Sequence, residues 1–327
     1  MGPHPAVAAV RLAVRRALVD QPTDRIAWVA CSGGADSTAL AAALAFEADR
    51  ADRPAGLITI DHGLQPGSAA QAGRVAELGY ELGLNPIEQL RVEVGTEGGP
   101  EGAARTARYT ALDPFAEEGL VLLGHTADDQ AETVLLGLGR GSGARSIAGM
   151  RAADGGYLRP LLGLRRSDTE AACLALGLPT WDDPHNEDPR FRRVRLRREV
   201  LPLLEDVLAG GVTEALARTA TQLQDDQDAL QTLADRVLTQ ANRSDGLQLT
   251  DLDGHPRAVV ARVVKGWAES GGAGPLAADH VERLVALHDD WRGQDGVDLP
   301  GGFRARRTSG RLVLIRLNEH ERNPQEH

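Results

Sequence analysis

Apolar positions along the first 140 residues follow two rhythms that alternate. Short unbroken runs, Ile26–Cys31, Gly56–Ile60 and Leu120–Leu123, have the length and composition of buried strands. Each run precedes a stretch with apolar residues at helical spacing: Asp36–Ala48, Ala69–Leu82 and Asp128–Leu138. Alternation of this kind predicts parallel pairing through crossover helices, hence an α/β fold with a doubly wound, mostly parallel sheet. Ahead of the first run, Val7–Val19 carries Arg11, Arg15 and Arg16 among its apolar residues. That is the pattern of an amphipathic helix; a signal peptide places its basic residues before an uninterrupted apolar core.

After Pro202 the rhythm changes. Leu216, Leu223, Leu230 and Val237 recur every seven residues, with Ala220, Gln227 and Ala234 between them. One long amphipathic helix is expected there. Packing inside a helical domain is the plainer use of its stripe, and the seam of a homodimer is the other. Val259–Trp267 and His280–His288 read as further helices, and Phe303–Arg316 reads as a hairpin turning at Ser309-Gly310. The change divides the chain into residues 1–210, carrying the α/β sheet, and a smaller helical or α+β domain, residues 211–327.

Composition narrows the chemistry. A length of 327 residues suffices for two such domains. The net charge of −11 argues against an extended, nonspecific nucleic-acid binder, whose affinity comes from neutralising phosphates. A local basic patch survives that argument: Arg190–Arg198 reads RFRRVRLRR, with six arginines. The two cysteines, Cys31 and Cys173, form no CxxC, so a zinc ribbon, an all-cysteine iron–sulfur site and a disulfide framework have no support. No apolar run reaches membrane-spanning length, and a cytoplasmic protein is expected.

In doubly wound sheets ligands sit at the carboxyl ends of the strands. The first run ends in Ser32-Gly33-Gly34-Ala35-Asp36-Ser37. Two glycines let backbone N–H groups close on a phosphate, the following helix adds its unpaired N–H groups, and Ser32 and Ser37 add hydroxyls. Asp36 suits Mg²⁺ between phosphates better than direct contact with them. The GxxxxGK[ST] pattern is absent. The second run ends in Asp61-His62, next to that loop in a parallel sheet and so within reach of a nucleotide. After the third run come His125, Asp128, Asp129 and Glu132. Asp129 and Glu132 are three apart at the opening of a helix and face the same way, which suits a metal ion or a cationic substrate. Arg140-Gly141-Ser142-Gly143 follows as a basic loop.

SGGADS resembles the PP-loop of the N-type ATP pyrophosphatases, which cleave ATP between the α and β phosphates. The wider set consists of DHGL at 61–64, EGAARTARY at 101–109, LGHTADDQAETVLL at 123–136, RGSG at 140–143, RPLL at 159–162 and LGLPTWDDPHNEDPRFRRVRLR at 176–197. In that order these segments resemble the tRNA(Ile)-lysidine synthetase family over roughly residues 25–200, and LPGGFRARR at 299–307 resembles its C-terminal domain. The resemblance implies a PP-loop ATPase, Rossmann-like fold and a cytoplasmic ligase with ATP and Mg²⁺ as cofactors. It implies tRNA(Ile) with a CAU anticodon and free L-lysine as partners, and lysidine, AMP and pyrophosphate as products. The expected catalytic residues are Asp36, Arg105, His125, Asp129 and Glu132. ATP is expected on Ser32, Gly33, Gly34, Ala35, Asp36, Ser37, Asp61 and His62, with Asp36 on the metal. Asn186, Arg192, Arg193, Arg195 and Arg197 are expected to meet tRNA, helped by the C-terminal domain. Six arginines cannot share one helix face, so some are expected to turn to internal carboxylates. Four positions depart from the family. Val194 stands where Asn is frequent, Gln65 where Arg is frequent, and Gly137 and Gly139 are expected to end their helix early, at about 1 kcal/mol each.

Overall fold

A computed structural model of the chain describes residues 2–61, 63, 67–95, 99–139, 143–181 and 188–317. His62, Gln65, Asn186 and the residues Arg140, Gly141 and Ser142 of the basic loop lie outside the described residues. The chain forms two compact units, residues 1–224 and 225–327.

The first unit is built on a six-stranded sheet. Its strands are β1 (Ala27–Ala30), β2 (Ala55–Asp61), β3 (Ile87–Arg91), β4 (Leu120–Leu123), β5 (Ala153–Asp154) and β6 (Tyr157–Leu158). They lie in the order β3-β2-β1-β4-β6-β5, and every neighbouring pair is parallel except β5 with β6. The unbroken apolar runs follow from burial on both faces. Val29, Leu57, Leu120 and Leu122 join one core, and Trp28, Ile58, Val121 and Leu123 join the other. Neighbours along each strand thus feed opposite layers, as the two-residue repeat requires.

Helices α1 (Pro5–Leu18), α2 (Ala35–Arg50), α3 (Ser68–Glu81), α4 (Gly99–Glu118), α5 (Ala127–Leu138), α6 (Ala144–Ile147) and α7 (Arg166–Leu176) complete the layers. The first core is covered by α1, α2 and α7, which pack on one another, and the second by Leu112 and Ala116 of α4. Chain order reverses between β1, which leads to β2 on one side, and β4 on the other. Ligands bind at such a switch point, and the SGGADS loop leaves β1 there.

Helix α5 does not end early. It runs through Gly137 to Leu138, because Gly137 serves packing rather than termination. A Cβ at Gly137 would lie 1.9 Å from the carbonyl oxygen of Ser146 on α6, and the Ser146 hydroxyl donates to the Gly137 carbonyl at 3.2 Å. The loss of helix propensity is offset by that close approach.

Residues 192–207 form one continuous helical stretch: α8 (Arg192–Arg195), a single π turn (Leu196–Val200) and α9 (Leu201–Val207). Helix α10 (Val212–Ala241) follows, and the division between units falls within it. Its first part belongs to the first unit because Glu214 accepts from Arg165 at 2.6 Å and Gln224 donates to the Ala148 carbonyl.

The second unit contains a five-stranded antiparallel sheet, with helices α11 (Arg257–Ser270) and α12 (Ala278–Asp289). Its strands are β7 (Asn242–Arg243), β8 (Gly246–Gln248), β9 (Val297–Leu299), β10 (Phe303–Thr308) and β11 (Arg311–Arg316), in the order β7-β8-β11-β10-β9. The β10–β11 hairpin turns at Ser309-Gly310, both at positive φ (49° and 78°), the geometry a two-residue turn demands. Ala234, Val237 and Ala241 of the heptad stripe are buried in this unit's own core with Val260, Val263 and Val264, so the chain itself covers that part of the stripe. No helix among the described residues is long and apolar enough to cross a membrane.

Candidate functional site

The loop after β1 is shaped by its glycines. Gly33 adopts φ +89°, and a Cβ there would lie 2.5 Å from Gln71 Nε2 of α3. The conformation strains any side chain there, and an added Cβ would also make the Gln71 amide shift. Gly34 precedes α2 with no side chain capping the helix, which leaves the N-terminal N–H groups to an anion. The backbone N–H of Trp181 donates to the Gly33 carbonyl at 2.8 Å, so the segment after α7 closes over the loop. Gly124, at the end of β4, sits where a Cβ would be 3.0 Å from the Ser37 nitrogen.

The two serines differ. The Ser37 hydroxyl is buried, donates to the Gly34 carbonyl at 3.0 Å and accepts from the Ser32 N–H at 3.2 Å. It holds the turn together, and Ser32 Oγ lies 3.3 Å from it. Asp61 ends β2 next to β1, and its carboxylate accepts from the Gly63 N–H at 2.9 Å.

Three carboxylates and three arginines alternate beside the loop. Asp36, in the first turn of α2, accepts from Arg166 Nε at 3.1 Å and from the Thr169 hydroxyl. Burial pushes its carboxyl up, and Arg166 and Thr169 oppose this. Arg166 Nη2 also donates to Asp129 Oδ1 at 3.0 Å. The other oxygen of Asp129 accepts from the Thr126 N–H at 2.8 Å and the Thr126 hydroxyl at 3.0 Å, the cap that fixes the start of α5. Burial opposes ionisation of Asp129, but Arg166, the Thr126 N–H and Arg197 together hold its pKa below the usual value. Glu132 is 0 % exposed. Its Oε1 accepts from Arg197 Nε at 2.8 Å, while Oε2 has no hydrogen bond among the described residues and lies 3.7 Å from Arg193 Nη1. Burial pushes this carboxyl up against the pull of Arg197.

His125 follows β4. Its pKa is lowered to about 3, chiefly by burial, with Arg108, Arg159 and Arg105 adding to the shift and Asp129 opposing it. The imidazole is therefore neutral near pH 7, and its buried Nδ1 has no hydrogen-bond partner among the described residues. Arg105 is exposed and engages Tyr109, by a 3.3 Å hydrogen bond and by lying 4.8 Å from the ring centre. One turn on, Arg108 makes no ion pair among the described residues, and burial lowers its pKa.

The arginine run divides between two faces. Arg193 and Arg197 turn inward to Glu132, as residues four apart on one helical stretch can. Val194 is buried, Arg192 is exposed, and the exposed Arg195 pairs with Glu199 at 2.9 Å. Arg197 thus supplies a counter-ion to the buried Glu132 while part of its side chain stays at the surface. Arg190 pairs with Asp188, part of the acidic segment before the run.

Sequence reading did not single out Arg165 and Arg166. Arg165 bonds Asp128 and Glu214, and Arg166 bridges Asp36 and Asp129. The available signal was two cations at the start of α7, where the helix dipole disfavours positive charge unless carboxylates await it.

Residues 9–204 match a PP-loop domain family, and residues 247–313 match the TilS substrate binding domain family. The tRNA(Ile)-lysidine synthase of Thermobifida fusca is 53% identical over 319 residues, covering 96% of this chain and 98% of its own. The chain belongs to the tRNA(Ile)-lysidine synthase family. The synthase of Streptomyces coelicolor is 50% identical over 96% of this chain and 99% of its own. That of Mycobacterium tuberculosis is 52% identical over 88% and 90%. The U34-tRNA thiolase NcsA of Methanococcus maripaludis shares the fold, with a TM-score of 0.54 and 18% identity over 67% of this chain and 80% of that one. Within the synthase family's PP-loop match lie Asp36, His125, Asp129, Glu132, Arg166 and Arg197. The second match spans most of the antiparallel sheet, from Leu247 in β8 to Val313 in β11.

Proposed function

We propose that this chain ligates L-lysine to C2 of the wobble cytidine in tRNA(Ile) with a CAU anticodon, using ATP, in the cytoplasm. The C2 carbonyl oxygen of the cytidine attacks the α-phosphorus, and the bond to the β-phosphate breaks, releasing pyrophosphate. The ε-amine of lysine then attacks C2, the bond to the AMP oxygen breaks, and the amine gives up a proton. Family membership and one geometric observation support this reading: an anion cradle, the Gly33–Gly34 loop, adjoins a row of carboxylates suited to cations. The reaction has an anionic leaving group and an amine substrate that arrives as a cation, and needs both.

The loop N–H groups and the N-terminus of α2 hold the leaving pyrophosphate. Ser37 keeps the loop in shape and Ser32 offers its hydroxyl. Mg²⁺ fits Asp36, a hard oxygen donor next to the phosphate loop, since this ion is commonly held by one or two carboxylates together with substrate phosphates. When bound it would offset charge growing on the pyrophosphate. Asp129, held ionised, receives the lysine ammonium. Glu132, whose carboxyl is pushed up by burial, takes the proton as the amine attacks. Neutral His125 offers its ring nitrogens to the cytidine or the phosphate, and Arg105 and Arg108 offer cations to anionic groups. Arg192 and Arg195 face the tRNA backbone with Asn186 nearby in sequence, and residues 211–327 carry the remaining tRNA contact.

Sulfur transfer, a chemistry that also uses SGGxDS loops, finds no support in the cysteines. Burial pushes the Cys31 thiol up and the Cys173 thiol to about 11, so both are protonated near neutral pH. The deciding assay incubates the protein with ATP, Mg²⁺, radiolabelled lysine and tRNA(Ile) bearing CAU. Label on the tRNA is the expected result; its absence from a folded preparation refutes the proposal. Asp36→Ala should abolish pyrophosphate release and leave tRNA binding intact.

A further inference from the structure

We propose that Arg166 couples the two small substrates: it closes Asp36 and Asp129 in the ligand-free chain, and its transfer to the phosphates of ATP opens the lysine site. The inference rests on the assignment of Asp129 to the lysine ammonium made above.

The geometry is that of a bridge. Arg166 donates from Nε to Asp36 Oδ2 at 3.1 Å and from Nη2 to Asp129 Oδ1 at 3.0 Å. A planar guanidinium with donors set in a fork can span two carboxylates from different elements, here α2 and α5; a compact ammonium is a poor substitute. Its backbone is anchored. The Arg166 N–H donates to Asp128 Oδ2 at 2.8 Å, and Thr169, one turn along α7, bonds both Asp36 and the Arg166 carbonyl. Only the side chain is available to move, and it is partly exposed.

The charge balance supplies the coupling. Both carboxylates that the reaction assigns to cations already hold one cation between them. Lysine arriving without nucleotide must displace Arg166 from Asp129, leaving a guanidinium without its second partner in a half-buried place, which is costly. ATP seated in the loop beside Asp36 offers that guanidinium phosphate oxygens, a strong charge-assisted partner. Asp129 Oδ1 is then left with only the 3.6 Å approach of Arg197 and can accept the ammonium. Lysine and nucleotide therefore favour each other by the same factor, as linkage requires. Arg166 thus acts on lysine through Asp129 and on the nucleotide directly.

Calorimetric titration of L-lysine, with and without Mg²⁺ and α,β-methylene-ATP, reads that factor directly. The wild-type chain should bind lysine about tenfold or more tightly with the nucleotide, within the usual range of such couplings. In Arg166→Gln the ratio should fall below about twofold, because lysine binds well without nucleotide. Arg166→Lys should give an intermediate ratio. Titration of the nucleotide into each variant verifies that the loop is intact, and Arg166→Lys supplies the reading if Arg166→Gln does not fold. Equal lysine affinity in the wild type with and without nucleotide overturns the proposal, as does an undiminished ratio in the variants. Failure of the lysine assignment looks different: lysine then binds no variant under any condition and is not transferred to tRNA.

Discussion

Glu132→Gln separates the two half-reactions. The substitution preserves shape and removes one charge from a carboxylate that is fully buried and bonded to Arg197 Nε at 2.8 Å. Two opposing terms decide its effect on stability. Arg197 loses an ionic partner, but it is 31% exposed, so water can compensate, and the amide oxygen still accepts its hydrogen bond. Against this, burial pushes the Glu132 carboxyl up despite Arg197, so the ionised form costs the fold energy that a neutral amide returns. The terms oppose, and stability should change by no more than about 1 kcal/mol, or about 2–4 °C in melting temperature for a unit of this size. Activity behaves otherwise. General-base assistance of the kind assigned to Glu132 contributes about 10²–10⁴-fold. Lysine-dependent kcat/KM should therefore fall by about 10³-fold or more, while tRNA-dependent release of pyrophosphate in a single turnover stays within about threefold. An unchanged lysine kcat/KM refutes the role given to Glu132. A drop in melting temperature of more than about 10 °C refutes the electrostatic reasoning instead.

Gly137→Ala should destabilise the chain in urea unfolding, because overpacking against the Ser146 carbonyl costs about 1–3 kcal/mol and exceeds the gain in helix propensity at so short a contact. Gly139→Ala, whose Cβ among the described residues would meet only the Leu136 carbonyl at 3.7 Å, should instead gain up to about 1 kcal/mol. His125 has a folded pKa of about 3, below that of an unfolded histidine, so the unfolded state takes up the proton first as pH falls. Its contribution to stability is complete above about pH 6.5 and is lost as pH drops toward the folded value; between pH 7 and 5 the wild type should lose at least about 1 kcal/mol more than His125→Gln in urea unfolding. Arg192→Ala should weaken tRNA binding and lower its salt dependence by about one phosphate contact, measured by filter binding across a salt series. Arg197→Ala should leave that slope unchanged and abolish lysine transfer; a reversed pair of results would place Arg197 on the tRNA.

Much of this was legible in one dimension, for identifiable reasons. Strands β1, β2 and β4 are buried on both faces, so burial wrote itself into unbroken apolar runs such as Leu120–Leu123. Strand β3 (Ile87–Arg91) is an edge strand with no fully buried residue, and its IEQLR carried no such mark. The phosphate loop was readable because its constraints, a positive φ at Gly33 and a helix start at Ala35, lie within consecutive residues. The heptad stripe of α10 was likewise visible, but which surface it meets was not; Ala234 and Val237 lie in the core of the second unit.

The charges are where tertiary structure was decisive. From the sequence alone, Asp36, Asp129 and Glu132 were recognisable as carboxylates at strand ends, and the run after Arg190 as an arginine patch. Their pairing was not readable, since Arg166 stands 130 residues from Asp36 and Arg197 stands 65 from Glu132. Local pattern determines which residues can form a strand, a turn or a helix face, because those preferences act between near neighbours. Coulomb attraction and desolvation depend on distance and burial in the folded chain, so only the packing of α2, α5, α7 and α8 decided which arginine neutralises which carboxylate.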